Sequence, residues 1–269
     1  MLTTKQPPDC IESVPGYPTL LTIGTYLLEK EINRKTGSIL FINSILPSII
    51  TEIETRAVFD AHWIPNVRKD TDTRIKTLCV ATSANSIEVH DFHFSPSLSN
   101  TLPIINERHC FKHTFDSDAS QDISALSFCY LPNLSDNVEN VEKIEKNIID
   151  IAVGCSDGKV HLSSIFDGND EKMNSSISHN ESWLAHTYSG TSSGAEVWAV
   201  ATPPLINTLQ HSTIWTGADD TLLKIWDRRS LIRPQQICRE HGAGVCNIAF
   251  HPLREHIVAT GSYDEHLRV

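Results

Sequence analysis

Three stretches of this chain share one design: "VGCSDGKVHLSS", "TGADDTLLKIWD" and "TGSYDEHLRV" each place a glycine three residues before an aspartate and follow it with an alternating strand. The aspartates are Asp157, Asp220 and Asp264, at intervals of 63 and 44 residues. A recurrence of about 40–45 residues is the length of one small four-stranded unit, which cannot bury its apolar face alone and must stack on copies of itself. The longer interval is one such unit plus an insertion. Whatever this chain folds into is therefore assembled from repeats.

The rest of the sequence agrees with a repeat made of strands. "TLLTIGTYLLE", "GSILFI", "TLCVATS", "SIEVHDF", "ISALSFCYL", "IIDIAVGC", "KVHLSS", "VWAVAT", "TIWTGA", "LLKIWD", "CNIAF" and "HIVATGS" are short, rich in β-branched or aromatic residues and bounded by turn formers. Nothing sustains a helical period, so the class is all-β. Two polar stretches, near 133–147 and 166–182, read as loop insertions, the second being rich in Asn and Ser. Before residue 100 the turn aspartate is lacking, with Ala84 in its place, and only the hydrophobic pattern carries the repeat.

Composition narrows the partners. A net charge of -11 with no basic run argues against nucleic acid, which needs clustered Lys and Arg to neutralise phosphates. Seven scattered cysteines without a C-x-x-C suggest neither a disulfide framework nor a zinc knuckle. The longest apolar stretch, "SILFINSILPSII", is too short and too interrupted to span a membrane. A cytoplasmic monomer with no membrane or nucleic-acid partner is expected.

These features resemble the WD-repeat β-propellers, and "LLKIWDRR" is the most specific stretch. In that family a histidine before a blade, a Ser or Thr on its second strand, the turn Asp and a third-strand Trp hydrogen-bond together. The resemblance implies His186 or a near neighbour with Thr216, Asp220 and Trp226 for one blade, and His241, Ser262 and Asp264 for the next. It also implies a single propeller domain over 1–269, C-terminally truncated, with about four and a half blades where a closed ring usually has about seven.

Within that family, "GAEVWAV", "IWTGADDTLLKIWDRR", "HGAGVCNIAFHP" and "TGSYDEHLRV", spanning residues 183–269, are similar to the WD-repeat methylesterases of the diphthamide pathway. The resemblance implies hydrolysis of the methyl ester of diphthine on translation elongation factor 2, without a cofactor. One departure is that "HTYSGTSSGAEVW" spreads a His-then-Glu-Trp motif expected to be compact. The rival role is a non-catalytic scaffold for protein complexes, which fold alone favours.

Ester hydrolysis needs a nucleophile or a base-activated water, and donors for the oxyanion. No G-x-S-x-G or H-E-x-x-H motif is present. Glu196, His241 and Cys246 are the candidate catalytic residues. Asp219, Tyr263, Glu265 and His266, on turns between strands, are the candidate substrate-binding residues. Thr216, Asp220, Trp226, Ser262 and Asp264 are expected to brace the blades, because a turn Asp satisfies backbone donors. The "HDFH" pair His90 and His93 falls on opposite strand faces, so surface histidines are expected and no metal.

Overall fold

A computed structural model of the chain describes residues 2–64, 74–96, 102–115, 122–131, 148–166, 176–204 and 213–269. These residues contain strands and turns and no helix, so none is long and apolar enough to cross a membrane. They form two compact units, Met1–Asp122 and Ile123–Val269.

The first unit opens with a sheet of β1 (Pro8–Ser13), β2 (Leu20–Thr25), β3 (Leu27–Glu29), β4 (Arg34–Asn43) and β5 (Ser48–Thr55). The order is β1-β2-β4-β5, with β3 paired to the start of β4. Its second sheet is a meander of β6 (Val58–Trp63), β7 (Ile75–Thr82), β8 (Ser86–Ser95) and β9 (Ile104–Thr114). Phe41, Trp63, Phe92 and Phe94 pack with Leu20, Ile39, Leu78 and Val80 as the main core of this unit. Trp63 is thus a packing residue, with its ring centroid 6.1 Å from that of Phe92.

The second unit holds β10 (Ala125–Leu131), β11 (Ile148–Cys155), β12 (Lys159–Phe166) and β13 (Ser176–Leu184) in one sheet. A second sheet has β14 (Val197–Ala201), β15 (Thr213–Ala218), β16 (Leu223–Asp227) and β17 (Gln236–Cys238), and a third has β18 (Val245–His251), β19 (Arg254–Ser262) and β20 (Leu267–Arg268). All pairings are antiparallel between consecutive strands. Val160, Val197, Val200, Ile214 and Trp226 lie at the centre of the core, and the Trp183 ring meets Trp226 edge-on at 5.6 Å.

Two expectations about loops meet the structure differently. The stretch 133–147 lies outside the described residues. The stretch 166–182 is strand from Ser176 onward, where β13 pairs along β12. Residues 167–175 lie outside the described residues, and the polarity of the rest misled because an outermost strand has only one paired edge and faces the core mainly through Trp183 at its end.

The repeated aspartate has a local task that the turns make plain. Its carboxylate accepts the backbone N–H two residues on: Asp157 from Lys159 at 3.1 Å, Asp220 from Leu222 at 3.2 Å and Asp264 from His266 at 3.0 Å. The residue between is left-handed, at φ 81° for Gly158, 68° for Thr221 and 66° for Glu265. Its own N–H closes the turn onto Cys155, Ala218 or Ser262 at 3.2 Å. This is a type I turn followed by a left-handed residue, a common hairpin closure. Where Ala84 replaces the aspartate, Asn85 takes the left-handed position at φ 51°, a conformation Asn tolerates.

A β-branched residue in the left-handed region costs about 1–2 kcal/mol, and glycine there loses about 0.5–1 kcal/mol of chain entropy. Thr221→Gly is therefore expected to raise the unfolding free energy by about 0.5–1 kcal/mol in urea titration. Gly158→Ala should do the reverse and by more, since a Cβ there would sit 2.3 Å from the His186 carbonyl oxygen.

Candidate functional site

One hydrogen-bonded chain ties β15 and β16 to the loop before β14. Asp220 only accepts, so His186 Nδ1 carries the proton and donates to its carboxylate at 2.8 Å. His186 Nε2 then accepts the Thr216 hydroxyl proton at 2.7 Å, while Thr216 Oγ1 accepts the Trp226 indole N–H at 2.9 Å. His186 and Thr216 are fully buried. Burial pushes the His186 imidazole below its ordinary range despite the Asp220 charge, so it is neutral at pH 7. Burial alone would raise the Asp220 carboxyl, but the donors from His186 and Leu222, with the Lys224 ammonium 3.3 Å away, hold it below the usual carboxylate range.

The next sheet repeats the arrangement with the polarity reversed. Arg268 only donates, and its Nη1 lies 2.7 Å from His241 Nδ1 and 2.8 Å from Asp264 Oδ2. The imidazole proton therefore sits on Nε2 and is donated to Thr260 at 2.8 Å. The hydroxyl partner is Thr260, four residues before the aspartate as Thr216 is before Asp220, and not Ser262. Two positions further on, Ser262 instead donates to the Ala243 carbonyl at 3.0 Å and accepts the Asp264 N–H at 3.1 Å.

The residues "TYSGTSSG" between His186 and Glu196 fold out as a small hairpin. Thr187 bridges Gly194, the Tyr188 N–H donates to Ser193 at 3.1 Å, and the Ala195 N–H returns to the His186 carbonyl at 3.1 Å. The motif that is spread in sequence is closed in space. The excursion carries Tyr188 onto Asp219, whose Oδ2 accepts its hydroxyl proton at 3.4 Å. The Asp219 N–H in turn donates to the Glu196 carbonyl at 3.1 Å.

Burial, then the charges of Asp219 and Glu196, push the Tyr188 phenol up, which keeps it a hydrogen-bond donor at neutral pH. Gly244 allows the β18 approach to pass beside Asp219, since a Cβ there would lie 2.6 Å from Asp219 Oδ1 and 3.4 Å from the Tyr263 ring. Tyr188, Glu196, Asp219, Gly244 and Tyr263 thus gather at the mouth of two neighbouring turns. Tyr188 escaped the sequence reading; an aromatic stranded in a Ser/Gly-rich excursion beside Glu196 was the available signal.

The remaining candidates lie as follows. His241 is buried between Thr260, Asp264 and Arg268. Cys246 is half-buried on β18 and donates to the Gly261 carbonyl at 3.6 Å. Glu265 and His266 are exposed in the β19–β20 turn, with His266 Nδ1 donating back to the Asp264 carbonyl at 2.6 Å. In the first unit, His90 is 3% exposed and not a surface histidine, its ring stacked beside that of Phe92 and bonded to Glu107 of the neighbouring strand β9. A cavity of about 360 Å³ in that unit is lined by Arg34, Lys35, Arg56 and Asp122 among others, and by none of the sequence candidates.

Sheets of this size, order and bracing define a class, and comparison with known proteins agrees: the family model described as "WD domain, G-beta repeat" matches residues 232–269. A chain in the crystal structure of the mitotic checkpoint complex superposes with TM-score 0.50 at 15% identity, covering 97% of this chain and 65% of that one. Sqt1 from Chaetomium thermophilum superposes with TM-score 0.53 at 18% identity, covering 96% and 55%. The fold is that of the WD-repeat β-propellers.

Closer relatives share one name. The "Diphthine methyltransferase" of Mus musculus is 38% identical over 169 residues, 63% of this chain and 32% of that protein. The Homo sapiens "Diphthine methyltransferase" is 40% identical over 86 residues, 32% and 17%. The "Diphthine methyltransferase homolog" of Dictyostelium discoideum is 30% identical over 124 residues, 42% and 29%. The chain matches about a third or less of the length of these curated relatives.

Thr216→Val keeps the shape of the side chain while stranding the Trp226 N–H and His186 Nε2. Leaving two buried groups unpaired at about 1–3 kcal/mol each should cost about 2–6 kcal/mol, read from the urea midpoint. His186 binds its proton more weakly when folded, so its share of stability is full above its ordinary pKa of 6.5 and lost as pH falls below it. Thermal unfolding followed from pH 8 to 5 should show that decline, and His186→Gln, which removes the titrating group, should flatten it.

Proposed function

We propose that this chain acts as a methylesterase that hydrolyses the methyl ester of diphthine on translation elongation factor 2, in the cytoplasm and as a monomer. The observation that supports it most is the 38% identity to the mouse protein named diphthine methyltransferase over 169 residues. That alignment is longer than the stretch 183–269 in which the family-like motifs were recognised, so it extends into the chain ahead of them.

The cluster around Glu196 suits hydrolysis by activated water. The Glu196 carboxylate takes a proton from a water molecule, and the hydroxide adds to the ester carbonyl. The Tyr188 hydroxyl, released from Asp219, donates to the oxyanion. Collapse breaks the carbon–oxygen bond to the methoxy group, which leaves as methanol carrying the proton returned by Glu196. Asp219 and Tyr263 line the approach and position the substrate peptide.

Incubating the protein with elongation factor 2 bearing methylated diphthine should remove one methylene mass, seen by mass spectrometry. Glu196→Gln should slow the reaction by about 10²–10⁴-fold, the usual worth of a general base. Tyr188→Phe should slow it by about 10²–10³-fold, as for the loss of one oxyanion donor. No mass loss with folded protein and sound substrate would sink the reading, and binding of the factor without turnover would favour the scaffold.

A further inference from the structure

Outside this cluster, the outer strands of the β6–β9 sheet bring three ligand-type side chains to one face. His90 on β8 stands directly opposite Cys110 on β9. Glu88, two residues before His90, points the same way because side chains alternate along a strand. One atom from each of Glu88, His90 and Cys110 lies within 4.8 Å of the others. His90 Nε2 is 3.8 Å from Cys110 Sγ and 3.6 Å from Glu88 Oε2.

Those separations can be compared with the edges of a coordination tetrahedron. With zinc–sulfur bonds of about 2.3 Å and zinc–nitrogen or zinc–oxygen bonds of about 2.0–2.2 Å, tetrahedral angles require ligand atoms about 3.4–3.6 Å apart. Both measured edges fall within about 0.3 Å of that range.

The surroundings supply what such a site needs. The β8–β9 register shifts between Asp91 and Phe92, and Glu107 of β9 reaches His90 Nδ1 at 2.6 Å. That is the carboxylate–histidine arrangement that fixes an imidazole with its other nitrogen aimed at a metal. Glu88 is held in turn by Thr55 at 3.3 Å and Ser86 at 3.5 Å. Glu88 and His90 are 7% and 3% exposed, so they are fixed in place, whereas Cys110 is exposed and leaves a solvent path.

We propose that Glu88, His90 and Cys110 bind a zinc ion, with Glu107 holding the imidazole. A mixed carboxylate, imidazole and thiolate set suits this borderline-soft cation, and three protein ligands leave a fourth position for water. The ion replaces the protons on Cys110 Sγ and His90 Nε2, which pass to solvent. The proposal is independent of the esterase reading.

Cobalt titration of the chelator-treated, reduced full chain tests it. The expected result is saturation at one equivalent with a thiolate-to-cobalt charge-transfer band and tetrahedral d–d bands, both abolished by added zinc. Cys110→Ser, at an exposed position, should remove the charge-transfer band without changing the circular dichroism. Glu107→Gln should weaken cobalt and zinc binding by about 10–100-fold, as loss of an outer partner does. Absence of these bands while Cys110 remains alkylatable, or a charge-transfer band that survives in Cys110→Ser, would overturn the site.

Discussion

A single threonine hydroxyl, Thr216, is the joint on which the described bracing turns. It takes the indole proton of Trp226 and gives its own to His186, and His186 passes polarity on to Asp220. A carboxylate, an imidazole and an indole from three separate segments could not otherwise share a dry interior, because each would leave a polar atom without a partner. The aspartate at the far end also closes the β15–β16 turn through the Leu222 amide. One network thus sets the pairing register of two strands, the shape of a turn and the seat of the loop before β14.

That seat is what gives the candidate site its form. His186 is anchored, and the chain leaves it, makes a short hairpin and returns at Ala195. Glu196 and Tyr188 are the two shoulders of that excursion, and Asp219 is the neighbour of the anchoring aspartate. The acidic pair Asp219–Asp220 therefore divides its labour: one carboxylate faces inward to the brace, the other outward to Tyr188. Polar chemistry at the surface is positioned by polar chemistry in the core one residue away.

The inner strands were legible because alternating apolar residues have to face something, and the turn aspartates were legible because each follows a glycine at the same three-residue spacing. The outermost strands β5, β9, β13 and β17 were largely illegible: they mix exposed polar residues with at most one or two core contacts each, such as Ile53, Ile105 and Trp183, and so show no regular alternation. Choosing Ser262 over Thr260 was an error of spacing, since both hydroxyls flank Gly261 and only the offset seen at Thr216 and Asp220 separates them. Tyr188 and the buried position of His90 were hidden for a different reason. Each depends on a segment, the hairpin or β9, to which the sequence pattern assigned no element.

The polar outer strands have a consequence for how such a scaffold acquires new properties. On β9 only Ile105 is committed to the core, so Glu107 and Cys110 are free to be whatever residue type a surface task requires, while β8 keeps His90 fixed beside them. A rigid inner strand flanked by an edge strand with few fixed positions is a workbench. Function can be tried on the outer strand without putting the fold at risk.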